Sequence, residues 1–280
     1  MSTSAAIEAV GAKLSAYLRA PEIDWARDGV LLRPLDREVR VNLATWRRWL
    51  SNVGPNAPGS VIDAAQAVVT QLSERVRDGG NAAITRADLV QASSNADSAE
   101  GRIGLFVLVM MWGSGTTNGR GPRYLADALA DDPLDTMLDE SAQHIREESP
   151  QEAYRCFRLH GVGPSFFTKW FWAVGLGAPS LSDSESGGES AERLAARTPL
   201  ILDNRVKKSA NALGWTFRAT GSRWPDRYFQ YLVATQHWAR TLSSEAPTIT
   251  AEHVEWLLFD RRGTLGQWLS GSAEFEHRLQ

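Results

Sequence analysis

The sequence predicts an all-α protein, long enough for one large domain or two lobes. Three observations lead there. Apolar residues recur three and four apart through most of the chain, the spacing of one helix face. Cap residues and prolines stand where those patterns begin. Only Gly29–Arg33 and Val39–Val41 read as extended, and they suggest a small hairpin.

Ala5–Leu18 alternates at helical spacing, Val41–Leu50 carries Leu43, Trp46 and Leu50, and Val61–Val76 repeats the pattern with Ile62, Ala65, Val69 and Leu72. Thr85 is positioned to cap a short helix through Val90. Asp97 or Ser98 caps the apolar helix that ends at Trp112. Ser149-Pro150-Gln151-Glu152 has the form of a capping box with proline at the first helical position. Helices are expected at Gln151–Leu159, Pro164–Val174, Asn204–Leu213, Trp224–Arg240 and Ala251–Phe259. Gly113–Pro122 is a turn-rich loop by composition. Ser180–Ser190, rich in Ser, Gly and acid, reads as a mobile loop.

Composition narrows the function. The chain is 43% hydrophobic and 22% charged, as soluble globular domains are. No apolar run reaches membrane-spanning length, and Met1–Ala5 lacks a secretory pattern. These features predict a cytoplasmic protein with no membrane partner. Cys156 is the only cysteine, which excludes intramolecular disulfides and cysteine-ligated clusters. His144, His237, His253 and His277 show no metal-ligand spacing, so no metal is expected. The net charge is −3, but from Ile201 to Gln230 six basic residues face two acids. Such a local positive surface suits phosphate. From Tyr124 to Glu152 nine acids face one base, which reads as solvated helix faces.

The most informative segment is Leu159-His160-Gly161-Val162-Gly163-Pro164. A helix should end near Leu159 and another begin at Pro164, with a tight turn between them. Glycine tolerates the positive φ that such a turn demands. Pro164 presets φ at the helix start. Bare N–H groups at a helix N-terminus are a ready seat for phosphate. His160, Gly161, Val162, Gly163 and Ser165 are therefore candidates to grip a nucleic-acid backbone, with Arg205 and Lys207 in the basic stretch beyond. On a helical wheel Phe167, Trp170, Phe171 and Val174 form one stripe, and Ser165, Lys169 and Trp172 fall opposite. A lysine there is by default exposed and inert. A tryptophan opposite the core stripe needs a second interface or a ligand. Trp112, ending the apolar helix, and Trp172 are the candidate base pocket. Trp46, Trp49, Trp238 and Trp256 read as core. Arg120 and Arg123, beside Gly121-Pro122, could reach phosphate or lie on the surface.

Leu159-x-Gly161-Val162-Gly163, followed by Pro199-Leu200-Ile201-Leu202-Asp203-Asn204-Arg205-Val206, resembles the helix-hairpin-helix DNA glycosylase superfamily, and within it the 8-oxoguanine DNA glycosylase branch of prokaryotic and archaeal type. The resemblance is sharp over about Tyr154–Leu213. It implies a two-lobed glycosylase fold: a helical lobe with an N-terminal extension over 1–120, a catalytic helix-hairpin-helix lobe over 121–215, and C-terminal helices over 216–280 packing back on the first lobe. It implies a monomer acting on double-stranded DNA that contains a damaged or modified base, with no cofactor. Asp203 matches the catalytic aspartate. The usual lysine position is Ser165 here, and Lys169, one turn further on the same face, stands in for it as in the archaeal branch. Asp203 also suits a helix N-cap, a compatible role. The implied reaction is base excision with optional strand cleavage by AP lyase chemistry. Three alternatives stay open. One is a phage-defence glycosylase that removes a bulky modified pyrimidine. Another is a DNA-binding helix-hairpin-helix protein without enzymatic activity. The third is a helical interaction protein in which the Gly-Val-Gly turn is fortuitous.

Overall fold

The structure, a computed structural model, describes residues 2–19, 38–76, 80–115, 119–131, 133–177, 190–221, 223–243 and 249–260. Among these, thirteen α-helices and one two-stranded sheet make an all-α fold. The chain divides into two compact units. A central unit is Leu35–Ser184, and a terminal unit joins Met1–Pro34 to Glu185–Gln280.

In the central unit, β1 (Val39–Asn42) runs into α2 (Leu43–Leu50), whose first turn is capped by the Asn42 side chain. The strand does not pair locally. Its partner is β2 (Asn81–Ile84), antiparallel, with Val39 opposite Ile84 and Asn42 opposite Asn81. The stretch Gly29–Arg33, expected as its partner, lies outside the described residues, as does the expected loop up to residue 189. Between the strands runs α3 (Gly59–Ser73). Next come α4 (Arg86–Ser93) and α5 (Ala99–Ser114), capped by Thr85 and Ser98. The Thr85 cap is a full capping box, with Asp88 reaching back to the Thr85 N–H at 2.8 Å. From Ile103 to Trp112, α5 is buried on nearly every side, because α3, α4, α6, α7 and α9 all pack on it.

α6 (Gly121–Leu129) and α7 (Leu134–Arg146) make up most of the acidic stretch. Leu134, Met137, Leu138, Ala142 and Ile145 of α7 face inward. Of its acids, Asp135 and Asp139 pair with the nearly buried Arg102 of α5 at 2.9 and 3.0 Å. α8 (Pro150–Cys156) begins after Ser149, but the capping box expected there does not form. The end of α7 fixes the backbone instead. Glu148 adopts φ 58°, and the Ser149 N–H returns to the His144 carbonyl at 2.8 Å, closing a Schellman turn. This leaves Ser149 outside the extended cap conformation, and Glu152 pairs with Arg155 instead. The unit's last helix is α9 (Pro164–Gly177).

In the terminal unit α1 (Thr3–Arg19), α10 (Ala191–Arg197) and α13 (Ala251–Asp260) pack against α12 (Trp224–Ser243). α11 (Asn204–Leu213) lies against α13 and α1. Lys13 donates to the Leu213 carbonyl at 2.9 Å, satisfying an orphan acceptor at the end of α11. Among the described residues no helix is long and apolar enough to cross a membrane.

Candidate nucleic-acid interface and active-site residues

The hairpin joins α8 to α9. Tyr154 and Phe157 hold the two helices together through Phe167 and Phe171, with ring centroids 4.7 to 5.8 Å apart. α8 ends at Cys156, earlier than expected, because Phe157 turns extended to enter this aromatic cluster. The Val162 N–H closes the turn onto the Leu159 carbonyl at 3.2 Å. Gly161 has φ 76°, and a Cβ there would sit 2.4 Å from the Tyr124 ring, so two constraints require glycine. Gly163 differs: its φ is not positive, and an added Cβ would meet nothing within 4 Å. It is exposed, like His160, and its carbonyl accepts from Phe166 and Phe167 to start α9. No described residue accepts the N–H of Gly163 or Ser165. The hairpin therefore offers donors toward open space.

Lys169 and Trp172 are not on a solvent face. All of Phe167–Val174 is buried, Lys169 being 4% and Trp172 1% exposed. The wheel assumed one packed side, whereas α4, α5 and α7 pack on three. The Lys169 amine donates to the Ser165 carbonyl and lies 6.0 Å from the Trp112 ring centre and 5.9 Å from Phe166. Gly113 admits this approach, since a Cβ there would come within 3.1 Å of both side chains. Trp112 and Trp172 are near-parallel, 13° apart with centroids at 6.4 Å. Beside them is a residue the sequence reading missed. The buried guanidinium of Arg86 stands 4.9 Å from Trp172 and 5.7 Å from Trp112. Among the described residues neither indole N–H of this pair has a hydrogen-bond acceptor. Only its place one residue after a cap could have drawn attention to Arg86, since a helix start usually carries exposed charge.

Asp203 belongs to the terminal unit and is 8% exposed. The preceding segment is fixed from α12: Tyr228 donates to the Leu200 carbonyl at 2.9 Å and Tyr231 to that of Ile201 at 3.1 Å. Asp203 then caps α11, one carboxylate oxygen accepting the N–H of Arg205 at 2.8 Å and of Val206 at 3.0 Å. Arg205 lies over the Phe259 ring at 4.9 Å. Lys207, one turn beyond Asp203, lies over Trp224 at 4.8 Å. Burial lowers the Lys207 pKa, and the Asp203 charge opposes that shift in part. Arg123 pairs with Asp127 at 3.7 Å, and Arg120 bonds to Tyr124. Burial pushes the Cys156 thiol up to about 11, which disfavours the thiolate. A groove of about 650 Å³ among α3, α4 and α5, lined by Gln71, Arg75 and Asn95 among others, holds none of the expected site residues. Among the described residues no three His, Cys, Asp or Glu side chains cluster as metal ligands would.

Residues 32–259 match the family model described as "Putative 8-oxoguanine DNA glycosylase OGG-like protein". The chain belongs to this OGG-like family. No curated protein and no solved structure matches it significantly. Within this OGG-like protein, the hairpin, Lys169, Trp112 and Trp172 fall in the central unit, and Asp203, Arg205 and Lys207 in the terminal unit.

Proposed function

We propose that this OGG-like protein is a DNA glycosylase that flips a damaged or modified base, 8-oxoguanine-like, out of double-stranded DNA and cleaves its N-glycosidic bond. The observation that carries the reading is Asp203: a nearly buried carboxylate, immobilised by two backbone N–H groups, in the segment whose sequence resembles the one that holds the catalytic aspartate. A carboxylate held this rigidly needs no reorganisation to stabilise positive charge growing on the sugar as the base departs with the bonding electrons. The base must leave the stack first, because its anomeric carbon is unreachable within it. The N–H groups of Gly163 and Ser165 take a phosphate, and Arg205 and Lys207 contribute charge. Trp112 and Trp172 form the base pocket. Their indole donors, which have no acceptor among the described residues and lie beside the Arg86 cation, favour a base edge rich in carbonyl or hydroxyl acceptors. Such an edge belongs to 8-oxoguanine and to the hydroxyl-rich modified pyrimidines of phage DNA alike.

In the lyase variant of this mechanism the Lys169 amine attacks the anomeric carbon. The base leaves with the bonding electrons, the C1′–O4′ bond then opens as O4′ takes a proton to give the iminium ion, and β-elimination expels the 3′ phosphate and breaks the strand. Lys207 is the rival amine, since it lies one turn from Asp203 and burial disfavours its charged form. One experiment separates these roles. Wild type, Lys169→Gln and Lys207→Gln are incubated with duplexes carrying 8-oxoguanine or a bulky modified pyrimidine, with borohydride present. Lys169→Gln should abolish the trapped adduct and Lys207→Gln should keep it. The reverse pattern moves the nucleophile to Lys207. Base release without any adduct makes the enzyme monofunctional. No base release from any duplex would sink the glycosylase reading in favour of a binding protein.

A further inference from the structure

Trp224 is 39% exposed, whereas most of the described tryptophans are buried. It opens α12 and is braced from below by Phe217, with ring centroids 6.2 Å apart. Two cations lie against it: the Lys207 amine at 4.8 Å and the Arg227 guanidinium at 5.3 Å from the ring centre. Arg227 is fixed in that place, because its Nε donates to the Gly221 carbonyl at 2.8 Å. Arg223 and Arg218 are exposed nearby in the chain, and Asp226 is the only acid in the first turn of α12.

An exposed indole is ordinarily a liability. Bordered by two cations, of which Arg227 is held by the Gly221 carbonyl, it has the two parts that a sequence-tolerant single-strand site needs: an exposed indole on which a base can stack as the cations turn to phosphate, and the cations for the flanking phosphates. Indole is also the aromatic with the strongest attraction for cations, so the unbound surface is held in order. From this geometry we infer that the Lys207–Trp224–Arg227 surface binds unpaired DNA, Trp224 stacking on an unstacked base while Lys207 and Arg227 meet the adjacent phosphates. The charge complementarity selects nucleic acid, and the stacking face selects a strand whose bases are free. The inference rests on the DNA-acting reading and extends it, giving the terminal unit a strand contact separate from the hairpin.

The test is equilibrium binding, by fluorescence anisotropy, of wild type, Trp224→Ala, Trp224→Phe and Arg227→Gln. The three probes are a single-stranded oligonucleotide, a duplex with one tetrahydrofuran abasic analogue, and the intact duplex. Stacking of one base is typically worth about tenfold or more. Trp224→Ala should therefore lose about that much on the first two probes and much less on the intact duplex. Trp224→Phe keeps a ring and should retain most of the affinity, which also controls for folding. Arg227→Gln should lower the slope of log affinity against log salt by about one. Unchanged binding by Trp224→Ala overturns the inference and leaves the glycosylase reading intact. An equal loss on all three probes also overturns it, since the contact would then be to backbone alone. Displacement by polyglutamate as readily as by an oligonucleotide of equal charge would assign the surface to an acidic protein. Failure of wild type to bind any of the probes overturns this inference and the DNA-acting reading together.

Discussion

The two hairpin glycines look equivalent in sequence and are not equivalent in space. Gly161 combines φ 76° with the Tyr124 ring 2.4 Å from where a Cβ would stand. Gly161→Ala should therefore cost about 1–3 kcal/mol of stability through backbone strain alone, visible as a lowered melting temperature. Gly163 has ordinary φ and open space, so Gly163→Ala should melt like wild type; on the proposed phosphate grip it should weaken DNA binding, because the methyl group would crowd the bare N–H groups. Equal melting temperatures for the two variants would contradict the first expectation, and equal affinity for Gly163→Ala and wild type the second. Asp203 allows the same separation. Asparagine also accepts from N–H groups, so Asp203→Asn keeps the α11 cap and should leave the melting temperature close to wild type. It removes the negative charge, and base release in single turnover should slow by about 10²–10³. Asp203 was legible in the sequence because a cap is local. Lys169 was legible as a candidate but its burial was not, since a helical wheel gives direction and says nothing of how many neighbours close in.

At the scale of elements, caps and stripes carry the argument. Thr85 and Asp88 show how a local motif fixes a helix start. Burial would raise the Asp88 pKa, but the Thr85 N–H, the Arg75 guanidinium and the Thr85 hydroxyl outweigh it and hold the carboxyl below its ordinary 3.8. A depressed folded pKa contributes stability that is present above the unfolded value and lost as pH falls through the folded one. Thr85→Ala should therefore cost about 1 kcal/mol at neutral pH, and the difference from wild type should shrink below the ordinary 3.8. Denaturant melts at neutral pH and near pH 3 would check this; a gap that widens in acid would refute it. The failed box at Ser149 has the same residue pattern, and its sequence could not reveal that the preceding turn had already claimed the serine backbone. β2 was missed for a related reason: a strand of four residues is recognised by its partner, and that partner is some forty residues away.

For the whole molecule the decisive feature is a discontinuous unit. α1 buries Val10, Leu14, Tyr17 and Leu18 and packs on α12, where the Trp238 indole donates to the Ile7 carbonyl at 3.0 Å. Each such side chain contributes roughly 1.5–3 kcal/mol of burial, and a domain has only about 5–15 kcal/mol to lose. Deleting residues 2–19 should therefore unfold the terminal unit, exposing sites around α11 and α12 to limited proteolysis while the central unit stays resistant. Survival of α12 against protease in the truncated chain would show that α1 is dispensable. The compact units divide at Pro34 and Ser184, so the terminal unit is built from both ends of the described chain. By itself the sequence determined the helical class, most helix starts, the glycine turn and the capping aspartate, because periodicity, caps and positive φ are decided within a few residues. Only the tertiary structure decided that Lys169 and Trp172 are buried, that Arg86 lies beside paired indoles, that Trp224 is exposed between cations, and that the first helix belongs with the last. Each of those depends on which distant surfaces meet, and hydrophobic contact is set by area and fit rather than by distance along the chain.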